Sequence, residues 1–194
     1  MTEALNLQSR VTLSDGNTMP LFGLGVWAAN PGQETQDAVS CALEVGYRHI
    51  DTASMYGNEQ DVGSALNACG VPRNEIFVTT KVWETEQGYE PTLRAFGQSQ
   101  QKLGLEFVDL YLIHWPVEGQ RVDTWQALER LQNEGRVKSI GVSNFSPNHL
   151  QEIFESGKQR PTVNQIELSP FLQQRTIADF TRSAGIHLTA YCPL

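Results

Sequence analysis

The chain has 194 residues, 40% of them hydrophobic, and a formal net charge of −8 with a pI near 5.0. That suffices for one apolar core and one domain, and an acidic balance speaks against nucleic acid or an anionic membrane as the main partner. Cys41, Cys69 and Cys192 show neither metal-ligand spacing nor an even disulfide framework, and residues 1–10 contain no long apolar run, so a cytoplasmic protein without signal peptide or membrane span is expected.

In chain order, residues 11–19 read as a hairpin turning on Asp15-Gly16, a pair that favours a two-residue type I′ loop. Residues 20–27 read as an apolar strand whose glycines permit close backbone approach. Residues 33–45 place Ala38, Val39, Ala42 and Leu43 on one helical face, and Gly46 stops the helix. A short strand, 48–52, leads through a tight loop containing Tyr56 to a helix over 59–69, stopped by Gly70. Further strands are read at 75–83, 107–115, 138–144, 162–168 and 186–194. Between them lie helices at 91–103, 123–133, one opened by Ser146 as N-cap and Pro147 as first helical residue, and 175–184. The run 84–90 reads as a solvated loop.

Strand and helix alternate throughout, connections are short, and the strands are nearly continuous apolar runs, as befits strands buried on both faces. The pattern specifies an α/β fold with a parallel sheet. No glycine fingerprint follows the first strand, which removes support for a doubly wound dinucleotide fold. Seven strands outside the hairpin and six helices fall short of the eight of each in a closed (β/α)₈ barrel of about 250 residues. The expectation is therefore an incomplete (β/α)₈ TIM barrel with an N-terminal β-hairpin. It ends after its seventh strand, so that 1–194 is one barrel domain missing its C-terminal part.

In such a barrel the C-terminal strand ends form the active face. The polar residues there are Asp51, Lys81, His114, Ser143, Asn144, Gln165 and Tyr191, with Trp27 and Tyr56 in adjoining loops. A free phenol is a reluctant acid at neutral pH; a nearby lysine favours phenolate and lowers its pKa. Asp51 would hold Lys81 charged. Tyr56 and His114 would together polarise a carbonyl and stabilise the alkoxide forming on it. Such a set can give a proton but no hydride, so a nicotinamide cofactor has to bring one. Ser143, Asn144 and Gln165 match a primary carboxamide in donors and acceptors, Tyr191 offers a ring to stack on, and Trp27, Trp83 and Trp115 an aromatic wall for substrate.

Taken singly, each of these residues has an ordinary reading. Asp51 pairs with a surface lysine, Lys81 is a solvated strand end, His114 is a satisfied core histidine and Ser143-Asn144 is a turn before the Ser146 cap. The joint occurrence favours the chemical one. His49, inside a strand, and Trp125, on a helix face, are read as core, and His149 and His187 as structural or exposed.

Residues 46–59, with Asp51 and Tyr56, resemble the Asp-to-Tyr motif of the aldo-keto reductases. Thr80-Lys81-Val82-Trp83 resembles that family's lysine strand, and Leu112-Ile113-His114-Trp115-Pro116 its histidine strand. Residues 141–145 and 163–167 resemble its carboxamide-binding strands, and the likeness runs from about Pro20 to the last residue. Within the family the chain looks most like the bacterial 2,5-diketo-D-gluconate reductase group. The resemblance implies reduction of aldehydes or ketones with NADPH, Tyr56 as acid, and Asp51, Lys81 and His114 completing the tetrad. It implies cofactor contacts at Val26, Trp27, Asp51, Ser143, Asn144, Gln165, Tyr191, Cys192 and Leu194, and substrate contacts at Trp27, Trp83, His114 and Trp115. The residues show no metal-ligand spacing and the acidic balance argues for no nucleic-acid or membrane partner; a small carbonyl substrate and, at full length, a monomer are expected.

Val26 stands where many members have a hydroxyl residue, and Cys192 where a serine is common. The family's grip on the adenosine 2′-phosphate lies after the eighth strand, so the residues present hold only part of the expected cofactor site. The alternatives are a non-catalytic nicotinamide-binding module of the same fold and an unrelated barrel lyase or isomerase. The second would want a phosphate site in the last loops or a metal cluster.

Overall fold

A computed structural model describes residues 4–194; the first three positions of the polar N-terminal stretch lie outside it. Arg10–Thr12 (β1) pairs antiparallel with Thr18–Pro20 (β2), Val11 opposite Met19. The loop is not the expected two-residue turn. The Leu13 N–H donates to the Asn17 carbonyl (2.8 Å), the Gly16 N–H donates to the Leu13 carbonyl (3.0 Å), and Gly16 is the one loop residue with positive φ, +88°. Ser14, Asp15 and Gly16 thus form a three-residue loop in which a type I turn is closed by a left-handed glycine. Asp15 accepts from the Asn17 N–H instead (3.0 Å).

The strands that follow are Leu24–Gly25 (β3), His49–Asp51 (β4), Phe77–Val82 (β5), Val108–Ile113 (β6), Val137–Ser143 (β7), Val163–Glu167 (β8) and His187–Tyr191 (β9). They form one seven-stranded parallel sheet in sequence order. The helices are Gln33–Glu44 (α1), Glu59–Ala68 (α2), Tyr89–Leu103 (α3), Arg121–Asn133 (α4), Pro147–Ser156 (α5) and Arg175–Ser183 (α6). Among the described residues no helix is long and apolar enough to cross a membrane.

The strand expected over 20–27 shrinks to β3, because Pro20 already belongs to the hairpin and Leu21 and Phe22 are exposed. Close approach does occur at Gly23, where an added Cβ would lie 2.8 Å from His49 Nδ1. The run 84–90 is not a free loop either. A 3₁₀ turn, Glu84–Glu86, leads into α3, and buried Gln87 donates to the Trp115 carbonyl (2.6 Å) while the Gly88 N–H donates to Thr124 Oγ1 (2.8 Å).

The sheet curls into a nearly closed barrel. Gln165 on β8 reaches Asp51 on β4 across the interior, although three strands separate them in the sheet. β5 and β6 are buried at every position, so alternate residues serve two cores. Phe77, Leu110, Leu112 and Val163 point inward and meet Leu13 and Met19 of the hairpin, which plugs the barrel floor. Val78, Tyr111, Ile113, Ile140 and Val142 face the helices, with Phe96 and Leu128 among their neighbours. Each such side chain contributes about 1.5–3 kcal/mol on burial. Trp125 of α4 is fully buried and donates its indole N–H to the Gln159 carbonyl (3.2 Å), and His49 is buried against Thr79 Oγ1 (2.9 Å), both as core residues. α5 carries the expected Ser146 cap: Ser146 Oγ accepts from the His149 N–H, and the Ser146 N–H donates in return to His149 Nδ1. β9, at one end of the sheet order, is only partly covered.

Asp109 clamps the N-terminal end of three strands. Its carboxylate, 3% exposed, accepts from Arg73 Nη2 (2.6 Å), Lys138 Nζ (3.0 Å) and the Val78 N–H (3.0 Å). The two cations also flank the Phe107 ring. Of this set only the carboxylate and the Val78 N–H are buried, so removing Asp109 forfeits its charge-assisted bonds to two partly exposed cations and leaves that N–H without an acceptor. Asp109→Ala is expected to lower stability by about 3 kcal/mol, read as a lower urea midpoint at unchanged slope, whereas Asp179→Ala, which breaks an exposed pair with Arg182, leaves the midpoint in place.

Candidate active site

Asp51 ends β4, Lys81 is the penultimate residue of β5 and His114 follows β6, so parallel register brings all three to the same rim. Tyr56 reaches them from a 3₁₀ turn, Ser54–Tyr56, closed by Gly57 at φ +72°. A non-glycine residue would be strained at that φ. The turn is braced by Ser54 Oγ donating to Glu86 (2.9 Å).

Lys81 is 1% exposed. Its ammonium donates to Asp51 Oδ1, to the Thr52 carbonyl (3.0 Å) and to the Tyr56 hydroxyl (3.4 Å), which gives three acceptors for three protons. Burial works against the charge, but Asp51 and then Tyr56 outweigh it, and Lys81 keeps its proton beyond the ordinary lysine range. The His114 ring stands edge-on to Tyr56, with centroids 5.6 Å apart, and edge-on to Trp83 at 5.1 Å. The four tetrad residues therefore share one pocket.

One expectation is corrected. Lys81 does pull the Tyr56 phenol down, but burial pushes it up by more, so its pKa is raised. The hydroxyl is held protonated at neutral pH, the state that a proton donor requires. Burial, and then the neighbouring Lys81 charge, bring His114 down to about 4 against the pull of Asp51. It stands as a neutral imidazole beside an ammonium, and Nδ1 is buried without a partner.

Around this centre the carboxamide-matching residues form a chain. Gln165 donates to Asp51 Oδ2 (2.8 Å), and Ser143 Oγ donates to the Gln165 carbonyl (2.9 Å). Asn144, at φ +64°, donates to Ser143 Oγ (3.1 Å) and to the His114 carbonyl (3.0 Å), and accepts from the Tyr191 hydroxyl (2.9 Å). Tyr191 is thereby fixed at its tip. Trp27 and Trp115 stand 64% and 41% exposed at the rim. Val26 is buried in the core, and its carbonyl accepts from Asn58. Cys192 is exposed at φ +46°, close enough for a thiolate to repel charge on Tyr56, and Leu194 is fully exposed.

Reading the sequence missed Thr52, Asn58 and Glu59, all buried. Asn58 and Glu59 look like an ordinary helix start, and only their burial sets them apart. Two hollows lie off this centre. One of about 120 Å³ opens at the floor beside Asp109 and Lys138, and one of about 520 Å³ lies between the end of β8 and α6, lined by Leu168, Gln173 and Arg182.

The parallel barrel thus gathers a phenol, an ammonium, a carboxylate and an imidazole at its C-terminal rim, groups that together can pass a proton. Residues 21–194 match the aldo/keto reductase family, and the chain belongs to that family. It is 56% identical to the 9,11-endoperoxide prostaglandin H2 reductase of Trypanosoma cruzi (strain CL Brener), over 95% of this chain and 65% of that protein. It is 46% identical to the glyoxal reductase of Bacillus subtilis (strain 168), over 97% of this chain and 68% of that protein. The chain thus spans about two thirds of the length of these curated relatives. The solved aldo/keto reductase of Brucella melitensis superposes with a TM-score of 0.93 at 49% identity, over 95% of this chain and 73% of that one. A Bombyx mori aldo-keto reductase in complex with NADP does so with a TM-score of 0.88 at 35% identity, over 95% and 66%.

His114 yields a measurable expectation. A folded pKa below the unfolded value means that the unfolded chain binds more protons between the two. The stability from keeping this imidazole neutral is present above about pH 6.5 and is lost as pH falls towards 4; buried His49, also lowered, acts in the same sense. Proton NMR is expected to give His114 a titration midpoint near 4. A midpoint near 6.5 would show that neither burial nor the Lys81 charge acts on this imidazole.

Proposed function

We propose that this chain is the greater part of an NADP(H)-dependent reductase that converts aldehydes or ketones to alcohols, with Tyr56 as proton donor. The observation that carries the reading is the single ammonium of Lys81 bonded to both Asp51 and the Tyr56 hydroxyl, with His114 against the same phenol. The same reading takes 1–194 as one barrel domain short of its C-terminal part, working as a cytoplasmic monomer on small carbonyl compounds.

The residues present suit a nicotinamide amide. Asn144, Ser143 and Gln165 form one hydrogen-bonded row at adjacent strand ends, and beyond its bond to Asp51 the Gln165 side chain keeps its amide oxygen as an acceptor. Tyr191, anchored at its hydroxyl, supplies the stacking face. The bound cofactor would supply the hydride. Trp27, Cys192 and Leu194 would complete the rim on the exposed side, and Val26 would contribute through backbone only, since its side chain is buried. The solved relative in complex with NADP supports the choice of cofactor.

Trp83 and Trp115 with Trp27 would hold the substrate so that its carbonyl oxygen meets Tyr56 and His114. As charge develops on that oxygen, the neutral imidazole donates a hydrogen bond and the Tyr56 hydroxyl transfers its proton. The phenolate left behind faces Lys81, whose own charge Asp51 sustains. Stabilisation is thus concentrated where charge appears, not on the resting phenol. For substrate class we take small dicarbonyls, which is consistent with the resemblance to the 2,5-diketo-D-gluconate reductase group and with a relative named for glyoxal.

In the full natural chain, NADPH oxidation driven by glyoxal is expected to lose about 10²–10⁴-fold in kcat with Tyr56→Phe, while cofactor affinity stays within a few-fold. Turnover retained in that variant would rule out Tyr56 as the donor. Cofactor binding with no turnover in the parent would favour the non-catalytic module.

A further inference from the structure

We propose that Glu59 is a positioning residue that holds the Tyr56 hydroxyl on the Lys81 ammonium, an inference that rests on the reductase reading for its consequence but not for its geometry. Glu59 opens α2, three residues after Tyr56, and is 1% exposed. One carboxylate oxygen, Oε1, accepts from Thr80 Oγ1 at 2.7 Å, and Thr80 is the residue before Lys81 on β5. A single side chain therefore joins the helix that follows the tyrosine turn to the strand that carries the lysine.

Its neighbour Asn58 does the same towards the other strands. An asparagine at this helix position usually caps the helix, but Asn58 makes no side-chain cap bond. Its Oδ1 accepts from Thr52 Oγ1 (2.9 Å) and its Nδ2 donates to the Val26 carbonyl (2.9 Å). Thr52 is also the residue whose carbonyl accepts from Lys81. The turn bearing Tyr56 is thus referenced to the ends of β3, β4 and β5 at once. Gly63 seats the same helix tightly on α3, where an added Cβ would lie 2.5 Å from the Leu103 carbonyl oxygen.

Stability alone is a poor reason for this carboxylate. Oε2 has no hydrogen bond, and the nearest cation, Lys102 Nζ, is 3.7 Å away on a half-exposed side chain. A buried charge so thinly paired is commonly matched or bettered by an apolar side chain of similar size. The first turn of α2 favours a carboxylate at this position, but that preference would be met equally by an exposed one; what the buried bond to Thr80 adds is a fixed distance between two reacting groups. Sub-ångström placement of such groups changes rates by large factors.

The test compares Glu59→Ala, Glu59→Gln and Thr80→Val in the full natural chain. Glutamine keeps an oxygen for Thr80 to donate to, alanine removes it, and Thr80→Val deletes the same bond from the other end without opening a cavity at Glu59. The first readout needs no turnover. It is the ionisation midpoint of Tyr56 by ultraviolet phenolate absorbance, with Tyr56→Phe subtracted; the charged or titratable groups around that phenol are Lys81, Asp51, Cys192, His114 and the second phenol, Tyr191. Glu59→Ala and Thr80→Val are expected to raise the midpoint, because the phenolate loses its ammonium, and Glu59→Gln to leave it in place. The second readout is glyoxal-driven NADPH oxidation. The first two variants are expected to lower kcat about tenfold or more with KM within about twofold, and glutamine to restore it to within about threefold. A Tyr56 midpoint indifferent to both Glu59→Ala and Thr80→Val overturns the proposal, as does a loss of kcat that glutamine does not restore. The expected midpoint shifts in a parent that oxidises no NADPH would support the positioning role and overturn the reductase reading.

Discussion

One buried ammonium organises this molecule. Lys81 is closed off from solvent in an apolar strand, where an unpaired charge would be untenable. Three acceptors from two other segments answer its three protons: the Asp51 carboxylate and the Thr52 carbonyl at the end of β4, and the Tyr56 hydroxyl from the turn beyond. The strand ends, the turn and the start of α2 can only take the positions that keep these bonds. The local electrostatics follow from the same charge. Lys81 helps hold His114 neutral and opposes, without overcoming, the effect of burial on Tyr56.

The barrel divides its work between its two ends. At the floor, the hairpin plugs the interior and Asp109 binds three strands through Arg73, Lys138 and the Val78 N–H. At the rim, the same strands present Lys81, His114 and Ser143. β5 illustrates the division within one element: Val78 meets the floor clamp, Thr80 meets Glu59 on the helix side, and Lys81 faces the pocket. Alternation of side chains along a strand lets one short segment serve both core and chemistry.

Much of this was legible in the sequence. The parallel barrel followed from alternation of apolar runs with helical periodicity, and the seven strands appear in the expected order. Asp51, Lys81, His114, Ser143 and Asn144 were found because each falls at or just beyond the C-terminal end of an apolar run, a position that parallel topology turns into proximity, whereas Gln165 lies in the middle of β8 and reaches the rim because the register sets it beside Ser143. What escaped depends on distances. The raised Tyr56 pKa is a contest between burial and one neighbouring charge, and residue types alone do not decide it. Asn58 and Glu59 read as an unremarkable helix start, and only their side-chain directions reveal ties to Thr52, Val26 and Thr80. The hairpin loop was misread because Asp15-Gly16 suits two turn families, and the choice between them lies in the Leu13–Asn17 pairing. Gln87 sits in a polar run that gives no sign of the Trp115 carbonyl waiting for it.

The central claim, a lysine kept charged in a dry site by one carboxylate, can be read directly at the nitrogen. A ¹⁵N NMR titration of Lys81 Nζ, in the parent chain and in Asp51→Asn, follows its proton. A lysine held as described titrates above 10.5 in the parent and at a clearly lower pH once the carboxylate charge is gone. A Lys81 that loses its proton below the ordinary lysine range in the parent, or that titrates identically in both chains, contradicts the claim.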